Sequence, residues 1–344
     1  MTIILKEFFF KILNLIKKIF IPNIFFIDMI KARYDRNYSG SEKSFFLMRF
    51  LYRISNGLIL EFIGKIIKSS SDPLFFKKTY EILNNIDEKD IQILKDEILN
   101  LKVSTNEKYN QNKDIIYNTK SIKAKIDYDY YKKFNAVRLN FNQKDLLSSK
   151  VISEFIIKSN FSKIIDKIIG AKTCLISVDS WITLPIPEIK ENYEEMTKYQ
   201  DTQMFHRDVD HLRDIKLFIY LNDVLDYSDG PFQIIQGTNG TDNFNQKNYI
   251  DKVKFRISNN FAKKNYENNI KTIYGKKGTA FIADTRAFHR GSVITKQSHR
   301  IILALYYSTH SFGKNKKITL DKNFKTYDMW KHQIKQNKYM SLFY

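Results

Sequence analysis

The sequence predicts an α+β fold, with helices gathered in the first hundred residues and short strands after them building a sandwich or jelly roll. Three observations lead there. Apolar residues recur at helical spacing through "EKSFFLMRFLYRISNGLILEFIGKIIK" and "DEKDIQILKDEILNLK". From Lys172 the texture changes to short β-rich runs, "TCLISVDSWITL", "IKLFIYLNDV", "PFQIIQG", "GTAFIAD" and "RIILALYYST", with Gly and Asp clustered between them. Several strands in succession without alternating helix–strand units point away from a doubly wound sheet.

Taken in order, residues 1–103 read as a helical N-terminal region. Its most apolar stretch, "FFFKILNLIKKIFIPNIFF", is broken by Lys11, Lys17, Lys18 and Pro22 and falls short of the roughly 20 apolar residues of a membrane span. Lys11, Asn14 and Lys18 share one helical face, with Phe8, Ile12, Leu15, Ile16 and Ile19 towards the other. Such a helix docks on its own protein or makes peripheral membrane contact. "SDPLFFKKTYEILNNID" opens with an N-cap signal, Ser71 or Asp72 followed by Pro73. Residues 104–118 are linker-like, beginning with the polar "STNEKYNQNKD". The strand-rich domain is expected at 119–312, where "NAVRLNFN" reads as a strand and "DLLSSKVISEFIIKSNFSKIIDKIIG" as one or two helices closed by Gly170. The polar insert 241–271 reads as a partly helical excursion across one mouth of the barrel, and 313–344 as a basic C-terminal tail.

A formal charge of +20 invites anionic partners, but the lysines are scattered and no aromatic-basic stripe runs among them, so nucleic acid is not expected. The single cysteine, Cys174, sits in an apolar run and cannot form an internal disulfide, which favours a reducing compartment. With no secretory cleavage pattern, the expected location is cytoplasmic, with a membrane surface as the alternative through the N-terminal helix. Nothing in the pattern sets an oligomeric state.

The chemistry concentrates in "TQMFHRDVDHLRDIKLFIYLND". His206 and Asp208 are two residues apart, so on an extended chain both project from one face and can converge on a metal ion. A lone His-x-Asp is common, and a third ligand is needed. His289, in "GTAFIADTRAFHRGS" just after a strand, is the best placed of the remaining histidines. Two histidines and one carboxylate, leaving other positions open, make the ligand set of non-haem Fe(II) oxygenases. If the co-substrate is 2-oxoglutarate, its distal carboxylate needs a cation, and Arg300 follows His289 by eleven residues at the start of a strand. Trp181 and Gln203 are candidates for the pocket lining, with core packing an equal reading of Trp181. Lys216 is a candidate for an anionic substrate, although a strand-end surface lysine is the stronger reading. His299 should face away from Arg300, and Asp210 and Arg213 are candidates to support the ligands, although a solvated loop is the stronger reading.

With these residues in place, the chain resembles the phytanoyl-CoA dioxygenase family of Fe(II)/2-oxoglutarate-dependent oxygenases. The matching stretches are "HRD" at 206–208, "IKLFIYLNDV…DGPFQIIQGTNG" at 215–240, "KKGTAFIADTRAFHRGS" at 276–292 and Arg300, and they span roughly residues 120–310. The resemblance implies a double-stranded β-helix (jelly-roll, cupin-like) core, with His206, Asp208 and His289 on Fe(II), Arg300 on 2-oxoglutarate, and O2 as second co-substrate. It further implies hydroxylation of a small or carrier-linked organic substrate with release of succinate and CO2. Halogenating relatives replace the metal carboxylate with a small residue, so Asp208 argues for oxygen transfer. Gly291 stands where some members carry a serine that helps bind the same carboxylate. The alternative is a non-catalytic jelly-roll scaffold that recruits an acidic partner through its basic surface.

Overall fold

Two antiparallel sheets face each other, and the chain passes back and forth between them. The computed structural model describes residues 73–83, 85–105, 138–169, 173–185, 203–208, 214–239, 256–296, 298–308 and 320–336, with short strands at 108–109, 115–116 and 121–123. The helices expected before residue 73 lie outside the described residues, as do Gly170, Asp210 and Arg213.

The N-terminal part comprises α1 (Pro73–Lys78), β1 (Tyr80–Ile82), α2 (Glu88–Asn100), β2 (Lys102–Thr105), β3 (Lys108–Tyr109), β4 (Ile115–Ile116), β5 (Ser121–Lys123) and β6 (Arg138–Phe141). Three helices follow, α3 (Gln143–Ser148), α4 (Lys150–Lys158) and α5 (Phe161–Ile169). The remaining elements are β7 (Cys174–Thr183), β8 (Asp214–Tyr220), β9 (Phe232–Ile235), α6 (Asn259–Tyr266), β10 (Ile270–Ile273), β11 (Ala280–Ala283), β12 (His289–Gly291), β13 (Arg300–Ser308) and α7 (Tyr327–Gln336).

The larger sheet runs β1-β11-β8-β13-β7-β6-β2-β5 and the smaller β10-β9-β12. His206 extends the smaller sheet, exchanging both backbone hydrogen bonds with His289 at 3.0 and 2.9 Å, with Arg256 bridged on its other side. From β7 onward the chain therefore visits the large sheet, the small one at His206, the large at β8 and the small at β9 and β10. It then crosses to β11, to β12 and back to β13. That alternation is a double-stranded β-helix, the α+β jelly-roll class that the strand pattern predicted.

Strand pleating sorts the large sheet into two faces. Ile215, Leu217 and Ile219 of β8 and Ile301, Leu303 and Leu305 of β13 point outward, in one core with Ile91, Leu94 and Ile98 of α2, Leu146, Ile152, Ile165 and Trp330. The alternate positions, Phe218 and Tyr220 of β8 and Ile302 and Ala304 of β13, point inward with Trp181, Phe232, Ile234 and Phe281. Lys216 and Arg300 are in phase with this inner row. One turn of the barrel demands a glycine: Gly230 has φ 70°, and a Cβ there would meet Ile294 Cγ1 and the Ser292 carbonyl oxygen at 2.6 Å.

Four expectations need correction. First, no boundary falls at residue 103: Tyr80 pairs with Ala283 and Val103 with Phe141, so β1 and β2 belong to the large sheet. Thr79, at φ 66°, ends α1 after six residues, and the chain turns to cover the edge of β11 where a longer helix was expected. Second, the linker-like segment carries the β3–β4 pair. Third, the stretch before β7 forms three helices, because Ser149 ends α3 and caps α4 by accepting a hydrogen bond from the Ile152 amide. Fourth, the C-terminal segment includes α7, whose Trp330 is fully buried and donates its indole N–H to Ser153 Oγ at 3.0 Å. The insert is helical at α6 as expected, but its end, β10, is a strand of the small sheet. Among the described residues no helix is long and apolar enough to cross a membrane.

Candidate metal centre

His206 and His289 are neighbours because their backbones pair, and this sets their rings 4.4 Å apart between centroids. Each ring is oriented by its own strand. His206 Nδ1 lies 2.8 Å from the Met204 carbonyl oxygen, and His289 Nδ1 lies 3.0 Å from that of Ala287. A carbonyl only accepts, so both Nδ1 atoms carry a proton, and Nε2 is in each ring the nitrogen left to face a metal. Asp208 is fixed by its backbone amide, which donates to the Thr285 carbonyl at 2.9 Å. Its Oδ1 then lies 3.8 Å from His206 Nε2 and its Oδ2 3.4 Å from His289 Nε2. The three donor atoms fall within 4.8 Å of one another.

The electrostatics favour this donor set. Burial, with His289 alongside, holds the His206 imidazole down to about 3, so it is neutral across the physiological range. Burial opposes ionisation of Asp208, but the Lys216 ammonium and then His289 outweigh it and hold the carboxyl well below the usual range. Two imidazoles and one carboxylate match the donor set of a non-haem iron(II) centre.

Arg300 completes the inner row at the other end of β13. It is buried, and burial lowers its guanidinium to about 10, still charged at neutral pH. Nη2 reaches Thr183 Oγ1 at 3.4 Å, while Nε and Nη1 have no hydrogen-bond partner among the described residues. A buried cation in this state calls for an anion. The guanidinium lies against Gly291, where a Cβ would overlap Nη2. Gly291 is two residues from His289 on one face of β12, so the arginine fork and the imidazole share that face. A side chain at position 291 would therefore contest the space that the Arg300 guanidinium occupies.

The other predicted residues fall as follows. Trp181 lies on the inner face, with the Arg138 guanidinium 4.1 Å from its ring centre and Phe218 edge-on at 6.5 Å. Gln203 is buried, with neither amide atom partnered among the described residues. Lys216 is no surface lysine: it is 3% exposed, its ammonium donates to Asp208 Oδ2, and it sits 4.3 Å from the centre of the Tyr306 ring. His299 lies across the sheet from Arg300, near Lys95 of α2, and burial lowers it to about 4. Sequence reasoning missed Thr183 and Tyr220. Tyr220 donates its hydroxyl to the Ile273 carbonyl at 2.9 Å and accepts the Phe232 amide at 3.0 Å, linking the sheets beside Arg300. The inward phase of "IKLFIY" could have placed both Lys216 and Tyr220.

No protein-family model matches the chain, and no curated protein matches it in sequence. Among solved structures, the chain aligns with HygX from Streptomyces hygroscopicus with nickel and 2-oxoglutarate bound, at 10% identity over 73% of this chain and 91% of that one, TM-score 0.44. It aligns with EctD from S. alaskensis with bound Fe at 12% identity, over 71% and 75% of the two chains, TM-score 0.40. The non-heme alpha ketoglutarate dependent epimerase SnoN from nogalamycin biosynthesis aligns at 11% identity over 72% and 82%, TM-score 0.41. Likenesses this distant assign neither substrate nor reaction to the chain. The resemblance to phytanoyl-CoA dioxygenases rests on the motif residues alone.

Proposed function

We propose that this chain is an Fe(II)- and 2-oxoglutarate-dependent dioxygenase of the phytanoyl-CoA dioxygenase type, hydroxylating a C–H bond of a small or carrier-linked organic substrate. One observation carries the reading: two imidazole nitrogens and a carboxylate converge in a fold that also buries an arginine with two nitrogens unpartnered among the described residues. His206, Asp208 and His289 would hold the iron, and Arg300 the distal carboxylate of 2-oxoglutarate. When bound, iron with 2-oxoglutarate and O2 supplies the oxidation of the C–H bond, leaving succinate and CO2.

The chain's own residues do the rest. The Met204 and Ala287 carbonyls hold Nδ1–H of each histidine, so both rings present Nε2 without reorganisation. Arg300 offers a planar fork suited to paired hydrogen bonds with a carboxylate, and Gly291 leaves that fork its space. Phe218, Phe232, Phe281 and Trp181 line the interior between the sheets and exclude water, which strengthens every charge interaction inside.

Anaerobic addition of Fe(II) and 2-oxoglutarate tests the reading. The expected result is the weak visible charge-transfer band of the chelate, absent from His206→Ala. A wild-type protein that takes up no metal and shows no band overturns it and leaves the non-catalytic jelly-roll scaffold. Following succinate formation against candidate metabolite extracts then addresses the substrate.

A further inference from the structure

We propose that Lys216 makes metal binding at this centre conditional on the dianionic co-substrate, by keeping a buried positive charge on the carboxylate that the metal must share. The inference rests on the metal-centre reading above and concerns what this chain adds to it.

Four observations carry it. Lys216 lies on the inner row of β8, in phase with Phe218 and Tyr220, and is 3% exposed, so its ammonium cannot turn out to water without leaving the core. It donates to Oδ2 of Asp208, the same oxygen that lies 3.4 Å from His289 Nε2. The ring of Tyr306, its cross-strand neighbour on β13, lies 4.3 Å from the ammonium and helps to hold the cation in place. Arg300, a second buried cation with no carboxylate partner among the described residues, stands on the same face of the sheet.

The sum of charges gives the consequence. An imidazole binds a metal only as a neutral ring, and of the charges around the carboxylate the Lys216–Asp208 pair cancels while Arg300, with Arg138 and Arg256 nearby, is positive. A divalent cation entering alone meets an ammonium already seated on one of its ligands and adds two positive charges to this low-dielectric interior. A dianion binding with it cancels the two charges it brings. Metal alone is therefore disfavoured and metal with dianion favoured, and Lys216 sets the difference. A lysine serving only to neutralise Asp208 would stabilise the metal-free protein without altering the ratio of the two metal affinities.

The test uses the full-length protein and does not depend on turnover. Mn(II) is titrated by calorimetry, alone and with saturating N-oxalylglycine, a non-reacting dianion. It is applied to the wild type, Lys216→Gln, which keeps a donor to Asp208 but no charge, Lys216→Met and Lys216→Arg. Removing one unit charge at this range should tighten Mn(II) alone by at least about tenfold in Lys216→Gln and shrink the gain from the dianion by a similar factor. Lys216→Arg, which keeps the charge, should retain the wild-type gain. Should Lys216→Met not fold, Lys216→Gln against Lys216→Arg carries the comparison. Equal Mn(II) affinity and equal dianion gain in wild type and Lys216→Gln overturn the proposal while leaving the metal centre standing. Absence of Mn(II) uptake in every protein, with or without the dianion, overturns the metal centre itself and this inference with it.

Discussion

The two faces of the large sheet are made by the same strands and obey opposite rules. Along β13, Ile301, Leu303 and Leu305 face outward and join α2 and Trp330 in a core of apolar side chains. One residue out of phase, Arg300 faces inward with two nitrogens unpartnered, and Lys216 is buried against Asp208 on the neighbouring strand. The outer face stabilises the fold through burial, while the inner face buries charges at a cost in stability. A strand that alternates every residue can serve both ends at once, so changes one position apart should separate stability from binding.

The largest separation is expected on the inner face at His289. His289→Ala should abolish metal uptake, a loss of more than about a thousandfold in Mn(II) affinity by calorimetry, with little change in thermal midpoint. Unchanged affinity would remove His289 from the centre. The outer face should answer the other way. Trp330→Ala opens a cavity under the sheet and should cost about 3–5 kcal/mol in urea unfolding while leaving Mn(II) affinity as it was.

Arg300→Met is the sharpest single comparison. It should weaken 2-oxoglutarate binding about a hundredfold and raise the midpoint of the ligand-free protein, because a buried unpaired cation gives way to a methionine. A lowered midpoint with unchanged 2-oxoglutarate affinity would break the contrast between the faces.

The smallest effect is in pH. The folded protein refuses protons at His206 until about 3 and at His299 until about 4, whereas unfolded histidines take them up near 6.5. Both folded values are depressed, so stability is complete above the ordinary histidine range and falls as pH drops below it. The metal-free protein should lose about 2 kcal/mol at His206 alone between pH 7 and pH 5, read from denaturation midpoints. His299→Asn should shallow the slope.

Much of the candidate site was legible because its signals are local. The spacing of His206 and Asp208 follows from the strand period, and the run "IKLFIYLNDV" marks a strand feeding the interior. Arg300 at the start of "RIILALYYST" drew notice as a cation beside a candidate ligand. Lys216 was misplaced at the surface because a lysine at a strand end is usually solvated, and nothing local says that Asp208 folds back over it. Tyr80–Ile82 carried helical spacing, and only the edge of β11 made it a strand. Trp330 sat in a run of lysines and glutamines whose helix reads as a tail until its partners, Leu147 and Ser153, are known.

By itself the sequence determined the alternation that divides each strand into two faces, the types of the candidate ligands and the spacing of the first two, since these depend on backbone period and side-chain chemistry. Only the tertiary structure decided that His289 pairs with His206, that Arg300 fills the space Gly291 leaves, and that Lys216 holds Asp208. The reason is physical: pairing across some eighty residues and the sharing of one buried carboxylate are set by how sheets close on each other, which leaves no periodic trace in the chain.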